Sequence, residues 1–205
     1  MKKLNRDDVK IESTNKLHNG FTKLVKYEVK TTLFNGNTSK SFFRECLERI
    51  PAVGVIPYDV EQDKIVFIEQ FRIGALQDKT SPWLLEFVAG LVDKDNEDIT
   101  SVAKRELLEE TGIHSDQIYH IFDYWVSPGG TNEKLYLFWA NVDSKKAKQN
   151  AGILEENEDI KVHIYNLDDA LRSLEKGEIN NSITVIGLQW LQLNRDKIRK
   201  KFLVK

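Results

Sequence analysis

Apolar and polar residues alternate along several short segments of the chain, which is the pattern of half-buried β-strands. Loose alternation runs through residues 21–34 and resumes through residues 41–47. The Asn35-Gly36 pair between these segments supplies the positive φ angles that tight hairpin turns need. The pattern therefore predicts an N-terminal β-hairpin subdomain, residues 1–50, that ends near Ile50-Pro51.

The remaining residues, 51–205, form the second predicted domain, in which strands are interleaved with a few helices. Asp98 can cap a helix through its side chain, apolar residues follow at helical spacing, and Gly112 suits the left-handed conformation that ends one. Two later helices are predicted at residues 167–176 and 182–195, after a long loop at residues 144–159. The fold class is therefore an α+β or α/β sandwich with a mixed sheet. The predicted strands of this domain are residues 52–58, 64–71, 83–88, 118–126, 135–142 and 160–165.

Composition excludes several classes of protein. Thirty Lys and Arg residues against 32 Asp and Glu residues give a formal net charge of -2, which is unlike the basic footprint of a dedicated nucleic-acid binder. The sequence contains no run of about 18 apolar residues, which is the length that a membrane-spanning helix needs. Cys46 is the only cysteine, so a disulfide within the chain is excluded. We expect a cytoplasmic protein that binds neither nucleic acid nor a membrane.

Three acids stand on one side of the best-defined helix. Glu106, Glu109 and Glu110 have the spacing i, i+3 and i+4, which brings their carboxylates within reach of a common point. Like charges at this spacing repel, and oxygen-only ligands favour a hard cation such as Mg²⁺ or Mn²⁺. By themselves, the three acids equally suit the solvated face of an amphipathic helix.

The longer string around these acids resembles the Nudix box. It reads Glu97, seven residues, Arg105-Glu106, two residues, Glu109-Glu110, one residue, Gly112 and an aliphatic residue; one departure is that six residues, not five, separate Gly90 from Glu97. Outside the box, several segments are similar to the bacterial ADP-ribose pyrophosphatase branch of the Nudix hydrolases, and the resemblance covers most of the chain from about residue 43. These segments are residues 69–72, 82–86, 88–90, 127–131, 155–160 and 186–193.

The resemblance implies an α/β/α Nudix sandwich with a mixed sheet. The implied activity is Mg²⁺-dependent hydrolysis of ADP-ribose to AMP and ribose 5-phosphate, with Mn²⁺ able to replace Mg²⁺. It assigns the metal to the carboxylates of Glu106 and Glu110 and to the backbone carbonyl of Ala89, and it gives Glu109 and Arg105 supporting catalytic roles. Glu97 is expected to pair with Arg105 and so to fix the preceding loop against the helix.

The resemblance also assigns a general base, and the chemistry of one arginine indicates a substrate ligand. The base is Glu156 on the long loop, with Glu158 as the alternative, although an acidic surface loop would look the same in sequence. Arg72 is expected to bind a phosphate or the terminal ribose; the competing interpretation is an ion pair with Glu69 or Glu86.

The N-terminal subdomain is expected to be exchanged across a two-fold homodimer. Arg44 and Glu45 would then bind substrate in the partner's site, and Glu133 and Gly129 would bind it near the turn at residues 127–131. Two alternative functions stay open. One is hydrolysis of another nucleoside diphosphate sugar such as GDP-mannose, and the other is a non-catalytic ADP-ribose-binding module, which would be expected to have lost the box acids.

Overall fold

The computed structural model describes residues 3–94, 97–153, 155 and 157–203. The chain folds into two compact units. The first comprises Met1–Ile50 and Trp125–Lys134, and the second comprises Pro51–Tyr124 and Leu135–Lys205. Within the described ranges, no helix is both long enough and apolar enough to cross a membrane.

The first unit is a three-stranded antiparallel sheet. Its strands are β1 (Val9–Asn19), β2 (Lys23–Thr31) and β3 (Phe42–Glu48), in that order. The predicted hairpin is confirmed as β2 and β3. Strand β1 was missed, because ten of its eleven residues are exposed and no apolar face marks it.

The segment Trp125–Lys134 attaches to the last strand of this sheet. The Leu47 N–H donates to the carbonyl of Gly130 at 2.8 Å, and the Arg49 N–H donates to Oδ1 of Asn132 at 2.6 Å. The turn at residues 127–131 is therefore a part of the first unit, although 76 residues, 51–126, separate it in sequence from the end of the hairpin subdomain at Ile50.

The second unit is built on an eight-stranded mixed sheet. Its strands are β4 (Ala52–Asp59), β5 (Lys64–Phe71), β6 (Trp83–Glu86), β7 (Val88–Leu91), β8 (Ile118–Trp125), β9 (Lys134–Asn141), β10 (Asn150–Ala151) and β11 (Ile160–Asn166). The central strand, β4, pairs in parallel with β9 and antiparallel with β5 and β7. The order along the sheet is β10-β11-β5-β4-β9-β8, with β6 on β5 and β7 on β4.

Helices cover both faces of this sheet, as the predicted sandwich requires. Helix α1 (Ile99–Thr111) lies on one face, where Val102, Ala103 and Leu107 join the apolar core with strand residues such as Ile68. Its ends are those expected from the sequence: the Asp98 carboxylate accepts from two backbone N–H groups, and Gly112 has a φ of 74°.

The other face is covered by the C-terminal helices, α2 (Leu167–Glu175) and α3 (Ser182–Leu203). The Phe87 N–H donates to Oγ1 of Thr184 at 3.0 Å, which ties α3 to the sheet. Helix α3 continues to Leu203 rather than ending at Arg195, because its polar last turns still have partners: Ile198 is buried and Arg199 donates to the carbonyl of Val60 at 2.8 Å.

Candidate active site

Two carboxylates of α1 lie directly against strand β7. Oε2 of Glu110 accepts a hydrogen bond from the Ala89 N–H at 3.0 Å. The carboxyl group of Glu106 occupies the space above Gly90, where an added Cβ would come within 1.9 Å of Cδ of Glu106. Only glycine fits at position 90 with this arrangement, so the absence of a side chain at Gly90 allows the Glu106 carboxyl group of α1 to lie against β7.

Both of these acids are removed from water. Glu110 is 2% exposed, and burial raises its pKa well above the usual range, with the negative charges of Glu106 and Glu158 adding to the effect. Burial likewise raises the pKa of Glu106 to about 7, and the neighbouring Glu109 contributes. Opposing charge comes from Arg105 for Glu106 and from the longer-range field of Arg72 for Glu110.

Arg105 forms ion pairs with several acids of the box. Its Nη1 lies 2.7 Å from Oε1 of Glu106 and 3.0 Å from Oε2 of Glu109, and its Nε lies 3.4 Å from Oε1 of Glu97. The predicted pair between Arg105 and Glu97 is confirmed. Asp93, whose Oδ1 lies 3.8 Å from Nη2, joins the same guanidinium and was not predicted. One cation thus offsets several carboxylates and fixes the helix against the loop that precedes it.

The donor set suits a hard divalent cation. Within the described ranges, no three His, Cys, Asp or Glu side chains are arranged so that they alone would hold a metal ion. Glu106 and Glu110 nevertheless offer buried carboxylate oxygens whose charged forms burial disfavours. A nearby Mg²⁺ or Mn²⁺ would stabilise those charged forms, and oxygen is the ligand atom that both cations prefer.

Arg72, one residue beyond the end of β5, forms an ion pair with Glu86 at the end of β6. Nε of Arg72 lies 2.8 Å from Oε2 of Glu86, so the pairing with Glu86 that the competing interpretation predicted is present in the free protein. Burial raises the pKa of Glu86 even though Arg72 opposes that shift. The arginine side chain remains 41% exposed and can therefore contact solutes.

The loop that follows β10 is fastened to the end of α1. The Gly152 N–H donates to the carbonyl of Glu109 at 3.3 Å, and the Glu158 N–H donates to the carbonyl of Ile153 at 3.2 Å. This places Glu158 close enough for its charge to raise the pKa of both buried box acids. Glu156, the predicted general base, lies outside the described residues.

The other predicted substrate ligands belong to the first unit. Arg44 and Glu45 are both exposed on β3; the guanidinium of Arg44 lies 4.7 Å from the centroid of the Phe42 ring. Glu133 forms an ion pair with Arg49 at 3.7 Å. Gly129 has nothing within 4 Å of the position that a Cβ would occupy.

The sequence did not lead us to predict a role for one buried amide in the second unit, that of Gln70. Gln70 follows Val66 and Ile68 at every second position of β5, and both of these are fully buried in the core against α1. Gln70 is itself only 6% exposed. The available signal was a polar residue at a core-facing position of a predicted strand, which is uncommon unless it has a partner.

Known proteins are similar to this chain over most of its length. The NUDIX domain model matches residues 48–184. An ADP-ribose pyrophosphatase of Haemophilus influenzae is 42% identical over 200 residues, covering 96% of this chain and 92% of the relative. An ADP-ribose pyrophosphatase of Escherichia coli strain K12 is 38% identical over 197 residues, covering 96% of this chain and 94% of the relative.

Two further similarities are more distant. A GDP-mannose pyrophosphatase of Escherichia coli O1:K1 / APEC is 32% identical over 153 residues, covering 74% of this chain and 78% of the relative. A solved structure described as an ADP compounds hydrolase has a TM-score of 0.68 at 20% sequence identity and covers 95% of this chain and 98% of its own. At that identity the structural match supports the fold alone.

Proposed function

The chain belongs to the Nudix family, and on that premise we propose that it hydrolyses the pyrophosphate bond of ADP-ribose to give AMP and ribose 5-phosphate. One observation of the structure carries the proposal. The acids of the box are all present, and two of them, Glu106 and Glu110, are buried against β7, where burial outweighs the opposing charges of Arg105 and Arg72 and raises the pKa of both carboxyl groups. An acidic surface helix would leave these groups in water, and a non-catalytic module would be expected to have lost them.

The metal ligands in this proposal are the carboxylates of Glu106 and Glu110 and the backbone carbonyl of Ala89. When bound, Mg²⁺, or Mn²⁺ in its place, supplies neutralising charge to the diphosphate and polarises the phosphorus toward attack by water. Arg105 and Glu109 help to position the metal ligand Glu106, because the Arg105 guanidinium contacts both Glu106 and Glu109. Glu97 fixes Arg105 in turn.

The remaining chemistry is proton removal and substrate binding. We assign the general base to Glu156, with Glu158 as its neighbour and alternative, since a carboxylate on a loop can approach the attacking water as the site closes. Arg72 binds a phosphate or the terminal ribose. It is the cation whose field reaches Glu110, and its side chain is partly exposed.

We also propose a homodimer in which the first unit completes the partner's site. Arg44 and Glu45 would bind substrate in trans, with Gly129 and Glu133 contributing from the turn at residues 127–131. The exposure of Arg44 and Glu45 leaves both side chains available for such contacts.

The single cysteine agrees with a cytoplasmic location, because the fold needs no oxidising compartment.

Subunit complementation tests the exchange. Arg44→Ala and Glu110→Gln each inactivate their own homodimer under this proposal. Unfolding and refolding the two variants together should produce heterodimers in which one site has both wild-type residues, so about a quarter of the wild-type activity should return. Mixing two preparations of the same variant is the control. If no activity returns in verified heterodimers, Arg44 does not act in trans.

Product analysis tests the reaction itself. The protein is incubated with Mg²⁺ and equal concentrations of ADP-ribose, GDP-mannose, ADP-glucose, NADH and diadenosine polyphosphates, and products are separated by ion-pair chromatography. Selective release of AMP from ADP-ribose supports the proposal. Preference for GDP-mannose, which the relative of that name keeps as the second candidate, would retain the mechanism and change the substrate. Binding of ADP-ribose without turnover would indicate the non-catalytic module.

A further inference from the structure

An amide N–H without a partner lies buried in the second unit, beside the ion pair of Arg72 and Glu86. The Nε2 atom of Gln70 is inaccessible to solvent and has no hydrogen-bond partner among the described residues. Leaving such a donor unsatisfied costs free energy, and native proteins retain few of them. Its presence next to the candidate active site calls for a ligand that accepts the hydrogen bond.

The register of the strands shows what covers this amide. Gln70 lies opposite Leu84, and the preceding pair on the same face joins Ile68 to Glu86. Side chains alternate along extended backbone, and Arg72, one residue past the end of β5, is still extended with φ of -126° and ψ of 113°, so its side chain lies on that face as well. To reach Glu86 at 2.8 Å, the Arg72 side chain must extend back along the strand past Gln70. From this register we infer that the ion pair lies over the amide.

We propose that Nε2 of Gln70 donates a hydrogen bond to an oxygen of the bound nucleotide sugar once Arg72 has turned from Glu86 to the substrate. This inference rests on the proposed function. A phosphate group competes well for a guanidinium because it offers paired anionic oxygens. The exposed part of the Arg72 side chain leaves it room to turn. A neutral amide N–H then suits either a diphosphate oxygen or a sugar hydroxyl. Binding would thus satisfy a donor that the free protein leaves unsatisfied.

A single substitution separates this role from a structural one. Gln70→Met keeps the approximate volume and removes the amide, so we expect KM for ADP-ribose to rise and kcat/KM to fall about tenfold to a hundredfold. The free protein loses no hydrogen bond from Nε2, so its Tm should stay equal or rise. The matched control is Gln62→Met, at an exposed glutamine in the turn between β4 and β5.

The opposite combination of results would overturn the inference. A lower Tm with unchanged KM would show that the amide serves the fold, for example through a buried water molecule. Should Gln70→Met fold poorly, Gln70→Leu is measured in its place, with the same two readouts. Failure of wild-type protein to hydrolyse ADP-ribose would instead concern the proposed function, and the variant is then tested on whichever nucleotide sugar of the panel is cleaved. Turnover of none of them overturns both.

Inhibition by fragments identifies the oxygen. If Gln70 contacts the diphosphate, Gln70→Met should weaken inhibition by inorganic pyrophosphate. If it contacts a sugar hydroxyl, inhibition by pyrophosphate should be unchanged while inhibition by ribose 5-phosphate weakens. Unchanged inhibition by both, together with wild-type KM, contradicts a contact with substrate.

Discussion

Replacing Gly90 by alanine tests how the helix and the sheet share the active site. The new Cβ would lie 1.9 Å from Cδ of Glu106, whereas ordinary contact begins at 3.4 Å, so the carboxyl group would have to retreat by about 1.5 Å. Glu106 is only 9% exposed and is held by Arg105 at 2.7 Å, which leaves it little room to move.

Both activity and stability should respond. A displacement of about 1 Å at a reacting group can lower the rate about 100-fold, so kcat/KM for ADP-ribose should fall by at least about that factor. Overpacking of a buried site costs about 1–3 kcal/mol, and for a chain of this size each kcal/mol lowers Tm by about 2–4 °C. The assays are AMP release in the presence of Mg²⁺ and thermal unfolding.

The structure offers a matched control and a rescue. Gly74→Ala adds the same methyl group where nothing lies within 4 Å, so its activity and Tm should be those of the wild type. In the double variant Gly90→Ala with Glu106→Asp, the acid is shorter by one carbon, about 1.5 Å, so Tm should recover while activity stays low. Wild-type kcat/KM in Gly90→Ala would refute the reasoning, because the Glu106 carboxyl would then not depend on Gly90.

Two further predictions concern the catalytic base and the pH dependence of stability. Glu156→Gln should lower kcat by more than about 100-fold and remove the acidic limb of the pH–rate profile, whereas Glu158→Gln should lower kcat less; the reverse order assigns the base to Glu158. Although burial acts to raise it, hydrogen bonds from Arg195 and Tyr58 hold the pKa of Asp63 below its usual range, so its stabilisation is present above about pH 3.9 and is lost as pH falls through the lower folded pKa. The Tm difference between wild type and Asp63→Asn should therefore shrink below about pH 4, and a constant difference between pH 3 and pH 7 would contradict this assignment.

The sequence predicted best what local chemistry determines. Helix α1 begins after Asp98 and ends at Gly112 as expected, because a capping side chain and a left-handed glycine act over a few residues. The pair between Glu97 and Arg105 followed from the box spacing alone. Strand β1 was missed since an exposed strand has no apolar periodicity, and the attachment of residues 125–134 to the first unit depends on long-range hydrogen bonds that sequence spacing does not encode.

Long-range contacts also decided how far the last helix continues. Most residues after Arg195 are polar, yet Arg195 and Arg199 both reach the turn between β4 and β5. Arg195 and Arg199 both contact Asp63, which has a positive φ of 55° and accepts from Tyr58 as well. These partners lie more than 130 residues away in the chain, so a pattern read locally ends the helix too early.

The buried polar groups of the second unit distinguish the active site without reference to any motif. Asp59 is buried, yet it accepts hydrogen bonds from Gln62 and Ser144; although burial acts to raise its pKa, these bonds hold the pKa below the usual range. Glu110 is also buried; among the described residues it accepts one hydrogen bond, from the Ala89 N–H, and burial raises its pKa. The charge of Asp59 is thus satisfied within the free protein, whereas Glu110 on α1 and the amide of Gln70 on β5 have fewer partners than they can take among the described residues. A fold retains such incomplete groups where a ligand supplies the missing charge or acceptor, and here Gln70 lies two residues before Arg72, whose charge also acts on Glu110.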